Sequence, residues 1–395
     1  MPTVIYVFTL CAFAIGFTEF ISIGLVSTLA ESLHAGVAQV GLAVTLYATG
    51  VVIGAPILTA LASSWSRKRL LLAAMLVFTA GNILAALSSH LPLLLAARLL
   101  SGLAHGVFFA VASSVATRLV APGRAGAALS MVFGGVTVAM ALGVPVGTWL
   151  GSVLPWQWIF ALIAACGLIG TLGVAWWMPA GSGDLADSAP GWRNLPALFD
   201  RRLLAGASLP LLSYTGSFAL YTFVTPLLLH VTRTDIRGAS SILLAYGIGA
   251  AVGNIVGGRL TDRVGMDRAS LWLLTGIAAV LVLIGVGQAH FPVMIALVMA
   301  LGLTTYGAIP PLQSRILELA RRHRPQALDV ASGLNIAAFN AGVVVGSMVG
   351  AVSLEHWGLP SLAWVGAIVA VLALLALCWQ RNRPSMRFDA AATSA

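Results

Sequence analysis

The sequence predicts an all-α integral membrane protein with twelve transmembrane helices in two six-helix halves related by pseudo-twofold symmetry. Three observations lead there. First, the 395 residues are 59% hydrophobic and only 8% charged, with a mean hydropathy of +0.98. A soluble domain carries about 25% charged residues to cover its surface, so the solvent of this chain is a bilayer. Second, apolar runs of about 20 residues, long enough to cross hydrocarbon, recur along the whole chain. Third, landmarks of the first half return in the second at a constant offset.

The runs lie near 4–29, 39–62, 69–89, 92–119, 125–150 and 158–178, then near 203–229, 239–260, 270–289, 292–316, 328–352 and 360–380. Between the two sets is a polar stretch holding Gly181, Ser182, Gly183, Asp184, Asp187, Pro190 and Arg193. The expected division is therefore an N-terminal bundle at 1–179, a cytoplasmic linker at 180–202, a C-terminal bundle at 203–380 and a cytoplasmic tail at 381–395. No Lys or Arg precedes the first run and no small-residue cleavage pattern follows it, so it reads as a retained span. Cys11, Cys166 and Cys378 all sit inside apolar runs. Neither a disulfide framework nor a metal-ligand spacing results, and no metal or cofactor is expected.

Basic residues set the orientation. With the N-terminus inside, all but three of the 21 basic residues fall in inner segments, and the exceptions are Arg98, Arg233 and Arg237. That asymmetry places both termini in the cytoplasm. It also disposes of a nucleic-acid partner, despite a pI of about 10.3: the cations are spread as short clusters between spans and form no single binding face.

Displacing the chain by 199 residues superposes two separate landmarks. Residues 59–69 land on 258–268, the stretch GRLTDRVGMDR. Gly143, Gly147 and Gly151 land on Gly342, Gly346 and Gly350, and Trp158 lands on Trp357. Two parallel six-span repeats are the architecture of a rocker-type transporter. The glycines recur every four residues and so leave one helix face bare, with Pro145 interrupting the ladder. Close packing and a hinge both fit that pattern.

Two charges lie deep in spans, Glu19 and Arg98. Counted from the outer ends they sit ~15 and ~9 Å deep at 1.5 Å per residue, a gap an extended arginine closes. A Glu19–Arg98 pair is therefore expected, since an unpaired charge there is costly. Glu19 is the expected proton-coupling residue, because substrate or cavity opening can change its protonation. His105, seven residues beyond Arg98 on nearly the same face, is the second candidate, with an intrinsic pKa of ~6.5. A static ion pair and a packed core histidine are the plainer readings.

The second half is expected to offer no buried acid: Asp235 falls in an outer loop, Asp262 and Asp267 in an inner loop, and Glu318 and Asp329 flank another. It offers neutral groups instead: Tyr214, Ser217, Tyr221, Tyr246, Asn254, Thr305, Tyr306, Gln313, Asn335 and Asn340. Phe17, Phe20, Phe108 and Phe109 fit a cavity wall or a lipid face equally. Such a set suits an uncharged or polyhydroxylated solute. No H-E-x-x-H or acidic metal cluster supports a membrane-embedded enzyme, so no catalytic residue is assigned.

These motifs together resemble the major facilitator superfamily, in its twelve-span drug–proton antiporter branch, over almost the whole chain. Gly258, Asp262, Arg263, Gly265 and Arg268 match the family's loop motif G-x-L-a-D-R-x-G-r-k-r. In the first-half copy the corresponding Asp, Arg and Gly positions are Ser63, Ser64 and Ser66. Arg98 through Gly102 resembles R-x-x-x-G, and Gly143, Pro145 and Gly147 resemble the antiporter motif G-P-x-x-G with Val144 intervening. Gly16 to Phe20, Gly54 to Pro56, Gly81-Asn82 and His105-Gly106 look like arabinose and sugar efflux permeases; nucleoside and chloramphenicol exporters carry similar patterns. The usual Arg after the tryptophan that opens the sixth helix is Gln157 here. The resemblance implies a monomeric proton antiporter in the bacterial inner membrane. It would export a small-molecule solute by alternating access, with the proton gradient as its energy source and the lipid bilayer as its other partner; a nutrient importer of the same fold is the competing direction.

Overall fold

The computed structural model describes residues 1–62, 64–179, 181, 196–383, 386 and 388. Ser63 and most of the linker, including Ser182, Gly183, Asp184, Asp187, Pro190 and Arg193, lie outside the described residues. Among those described, twelve helical stretches are long and apolar enough to span a membrane, and no strand is present.

Among the described residues, proline lies at or beside four of the five span breaks, while Pro210 is accommodated inside a continuous helix. The second span is α3 (Val37–Ile53), a π turn at Gly54–Leu58 that contains Pro56, and α4 (Thr59–Leu61). The fifth is α7 (Ala125–Val138), a π turn at Ala139–Gly143 and α8 (Val144–Val153), so the bend expected at Pro145 begins just before it. The seventh breaks between α10 (Arg201–Tyr221) and α11 (Val224–His230), whose third residue is Pro226. The tenth breaks at Ala308, between α14 (Phe291–Gly307) and α15 (Ile309–His323), immediately before Pro310 and Pro311. A proline donates no N–H to the carbonyl four residues back, so the ladder loosens there. The first span is α1 (Thr3–Gly24) followed by α2 (Val26–Ser32). The unbroken spans are α5 (Arg67–Ala86), α6 (Leu91–Arg118), α9 (Gln157–Trp177), α12 (Ile236–Val264), α13 (Met266–Gly287), α16 (Leu328–Trp357) and α17 (Ser361–Arg381).

Two compact units result. One comprises Met1–Ala121, Met131–Asp200 and Ala320–Ala337; the other comprises Pro122–Ser130, Arg201–Leu319 and Ala338–Ala395. In the first, α3 and α5 pack on α6, and α9 packs on α5 and α1. In the second, α12 packs on α14, and α17 packs on α10 and α13.

Glycine makes both sets of contacts possible. In the second unit a Cβ at Gly249, Gly253 or Gly257 would lie 1.9–2.0 Å from the carbonyl oxygens of Met299, Leu303 and Gly307. In the first, Gly50 and Gly54 meet Leu99 and Leu103 in the same way. Helices in lipid associate by such close backbone approach. Gly50 and Gly54 match Gly249 and Gly253 at offset 199, but Leu99 and Leu103 match Met299 and Leu303 at offset 200. The tenth span therefore runs one residue out of step with the repeat, and the structural counterparts of Arg98 and His105 are Val298 and Thr305 rather than the Leu297 and Thr304 that a constant offset gives.

The glycine row of the fifth span behaves differently from its copy. Gly342, Gly346 and Gly350 each approach a backbone oxygen of α10, those of Leu211, Thr215 and Ala219. Gly143 and Gly147 instead receive the ring of Phe17, and Gly151 receives Leu25. Gly253→Leu should destabilise the protein by at least ~1–3 kcal/mol through overpacking. Gly41→Leu, with nothing near its Cβ, should leave the melting temperature in detergent unchanged.

Candidate functional site

The first unit buries a connected polar group around Arg98, which is 1% exposed. Its Nη1 donates to the Thr18 carbonyl at 2.8 Å and to Thr18 Oγ1 at 3.0 Å, and its Nε donates to the Ala43 carbonyl at 3.4 Å. The guanidinium lies 4.2 Å from the centre of the Tyr47 ring. Thr18 Oγ1 in turn donates to Asn82 Oδ1 at 2.7 Å. Arg98 is thus held by carbonyls and a π face, which stabilise a cation out of water.

Tyr47 carries the chain onward, its hydroxyl 2.9 Å from His105 Nδ1. That same nitrogen lies 4.0 Å from Glu19 Oε2. The direct Glu19–Arg98 pair expected from depth does not form. Neighbouring residues on a helix point ~100° apart, and Arg98 takes the Thr18 face of α1 while Glu19 turns to His105. Depth along a span says nothing of azimuth. Tyr47 is the member the sequence reading missed; a tyrosine in the apolar run of the second span was its only signal.

The candidate aromatic residues separate. Phe109 packs 5.0 Å from His105 and stacks on Phe133 at 5.1 Å. Phe17, expected to line a cavity, instead fills the space left by Gly143 and Gly147 and is 4% exposed. Phe20 is partly exposed beside Glu19 in sequence.

In the second unit five aromatic rings close a circuit. Tyr214 stacks on Phe218 at 5.5 Å, Phe218 meets Tyr221 at 5.6 Å, and Tyr221 stacks on Tyr246 at 3.9 Å. Tyr246 meets Tyr306 at 6.2 Å and Tyr306 returns to Tyr214 at 6.3 Å, with Phe339 a further 4.7 Å from Tyr214. Ser217 and Thr305 bond each other at 2.9 Å, both fully buried. Asn340 is part-buried in this unit, whereas Asn335 belongs to the first.

Tyr246 is the structural counterpart of Tyr47 at offset 199. Gly102 crosses over the Tyr47 carbonyl and Gly302 over that of Tyr246. Yet Tyr47 bonds His105, while the Tyr246 hydroxyl is buried with no hydrogen-bond partner. Thr305, at the position of His105, is occupied by Ser217.

The loop motif acts as a helix cap. Asp262 accepts from the backbone N–H of Gly126 at 2.7 Å and Ala127 at 2.9 Å, at the start of α7, where a carboxylate satisfies orphan donors and the helix dipole. Gly258 gives room, since a Cβ there would lie 2.5 Å from Ser130. Gly265 takes φ +86° between α12 and α13, a conformation that glycine permits at no steric cost. Arg263 and Arg268 are exposed. In the first unit the acid is elsewhere: Asp329, in the first turn of α16, pairs with Arg67 at 2.6 Å and bonds Ser114.

A sequence profile described as Major Facilitator Superfamily matches residues 8–235 and again 207–394. The MFS-type transporter YtbD of Bacillus subtilis is 40% identical over 94% of this chain and 93% of its own. The inner membrane transport protein YdhP of Escherichia coli is 32% identical over 92% of each chain. A probable sugar efflux transporter of Helicobacter acinonychis is 30% identical over 95% of this chain and 93% of its own. Among solved structures the human organic anion transporter MFSD10 superposes with a TM-score of 0.76 at 17% identity, covering 95% of this chain and 98% of that one. The proton:xylose symporter XylE superposes with 0.75 at 14% identity, covering 95% of each. A twelve-span helical fold with an internal repeat, matched by that profile over both halves, places this chain in the major facilitator superfamily of membrane transporters.

Proposed function

We propose that this chain exports a small neutral or polyhydroxylated solute, a sugar such as arabinose, across a bacterial inner membrane by proton antiport. It would belong to the drug–proton antiporter branch and to the sugar-efflux subgroup. The observation that carries the reading is Glu19. It is a carboxylate within a span, 23% exposed, and its near neighbour at 4.0 Å is His105 rather than a permanent cation. A proton on Glu19 removes the cost of holding an anion at that depth, so proton release needs a conformation that wets the site or a substrate that replaces the proton. The Tyr47 hydroxyl holds His105 Nδ1 within 4.0 Å of that carboxylate, which supports His105 as the second proton carrier. The similarity to a probable sugar efflux transporter supports the direction and the solute class.

Solute recognition falls to the aromatic circuit. Sugar rings present apolar C–H faces that pack on tyrosines, and the unpartnered Tyr246 hydroxyl supplies a hydrogen bond that the protein itself does not use. The stacked Tyr221–Tyr246 pair favours a second reading, a nucleoside or a chloramphenicol-type drug bearing a planar ring. Uptake of labelled arabinose, uridine and chloramphenicol into inverted vesicles under an imposed pH gradient separates the two, and flux in the opposite direction would make the protein an importer.

Two variants test the residues. Glu19→Gln preserves shape and removes titration, so gradient-driven flux should fall at least about tenfold while substrate-for-substrate exchange persists; undiminished driven flux would remove Glu19 from the coupling step. Tyr246→Phe deletes only an unpaired buried hydroxyl, so stability should hold or rise by ~1 kcal/mol. The half-saturating solute concentration should increase about tenfold, the loss of one good hydrogen bond. Unchanged saturation would place solute recognition elsewhere.

A further inference from the structure

The basic ends of the second unit bury an ion pair that the transport reading does not use. Arg315, on α15, is 1% exposed, and Asp267, in the first turn of α13, is 3% exposed. The sequence marks Arg315 as one of the inner basic residues that set topology and Asp267 as an acid of an inner loop; the structure buries both. Arg315 Nε donates to Asp267 Oδ1 at 2.9 Å and Nη1 donates to Gln380 Oε1 at 2.6 Å. Gln380 Nε2 then donates to the Ala205 carbonyl at 2.6 Å. The middle of α15 is thereby tied to the ends of α10, α13 and α17.

Each ion keeps one further contact, and both go to the tail. Arg315 Nη2 donates to the Met386 carbonyl at 3.0 Å, and Asp267 Oδ2 accepts the Phe388 backbone N–H at 3.1 Å. The Phe388 ring lies 5.4 Å from the guanidinium. Met386 is 4% and Phe388 8% exposed. A buried ion pair repays its desolvation only when its remaining donors and acceptors are also met. Here the tail meets them.

We propose that Arg315 and Asp267 form a peptide-binding slot, which the chain fills with its own tail as an exchangeable strap. The ligand class is a short peptide that offers a main-chain carbonyl, the N–H two residues on, and an aromatic side chain at that second residue. Recognition rests on main-chain atoms that any peptide presents, and among the described tail residues the Met386 and Phe388 side chains go under cover. Tethering to α17 gives the tail a high local concentration, so it holds the slot without a tight intrinsic affinity. With the tail seated, the four helices are bound through one polar cluster; with it gone, Arg315 and Asp267 each lose a partner.

Trypsin reads the slot directly in the detergent-solubilised full-length protein. It cleaves after Arg387, and the bond it cuts contains the N–H that Asp267 accepts; Arg383 is followed by Pro384 and resists. Cleavage at Arg193–Asn194 in the linker is the internal reference. Phe388→Ala should raise the rate of tail cleavage relative to that reference at least about tenfold, since cleavage tracks the open population, and Phe388→Leu should raise it less. Equal rates in all three proteins would overturn docking. A millimolar peptide of Ser385–Ala390 carrying Arg387→Gln should speed tail cleavage in the unsubstituted protein several-fold, whereas the same peptide N-methylated at the Phe388 nitrogen should not. No acceleration by the first peptide, or equal acceleration by both, would overturn exchange through the slot.

Discussion

The central tyrosine of each unit is placed by one constraint, the approach of helix backbones to within a glycine's width. Lipid gives helices no hydrophobic reason to prefer each other over acyl chains. Contact between α3 and α6, and between α12 and α14, depends on rows of glycine against carbonyl oxygens. Those rows fix rotation as well as distance. Gly102 can cross the Tyr47 carbonyl, and Gly302 that of Tyr246, in only one register. With the helices so locked, each tyrosine side chain is aimed by backbone packing, and whatever its hydroxyl meets follows from the neighbouring sequence.

The two tyrosines show what divergence within a repeat accomplishes. In one unit the position across from the tyrosine is a histidine, and one turn-pair away an arginine lies against the ring. A carboxylate completes the group at 4.0 Å from the histidine. In the other unit the same positions are Thr305 and Val298, the threonine is satisfied by Ser217, and the tyrosine is left with rings around it and a spare hydroxyl. One scaffold thus carries a titratable cluster in one copy and a neutral, aromatic one in the other. Duplication supplied the geometry; a few substitutions divided the chemistry.

Much of this was legible in the sequence because lipid imposes coarse rules. Spans, their number and the repeat all follow from hydropathy and spacing, and Glu19 and Arg98 stand out as charges that hydrocarbon disfavours. What the sequence hid was azimuth and register. Glu19 and Arg98 could be placed in depth but not in angle, so their pairing through Tyr47 and His105 rather than directly was invisible. The one-residue slip in the tenth span was hidden too, since matching loops and matching glycines on either side of it kept a constant offset. Phe17 takes neither the cavity wall nor the lipid face that the sequence left open for it: a bare glycine face allows close approach by backbone or by a ring, and here the ring fills it. Arg315 looked like a topology signal and Asp267 like an acid of a solvated loop, because composition cannot distinguish a solvated charge near a span end from a buried one.

The two junctions at the basic ends make the same point about necessity and means. The start of α7 needs an anionic partner for its first N–H groups, and Asp262 supplies it from the loop that ends α12. At offset 199 the loop position is Ser63, and Gly126 and Ala127 match Pro325, which has no N–H to offer, and Gln326, both ahead of α16. The acid there is on the helix itself: Asp329, which matches Ser130, sits in the first turn of α16. A carboxylate so placed satisfies the dipole of its own helix but brings a charge into a buried contact, and that charge needs a cation. Arg67, which matches Met266, is that cation, and Ser114 takes the remaining oxygen. With the acid on the helix and under cover, a buried arginine opposite is a physical requirement, and Arg67 meets it.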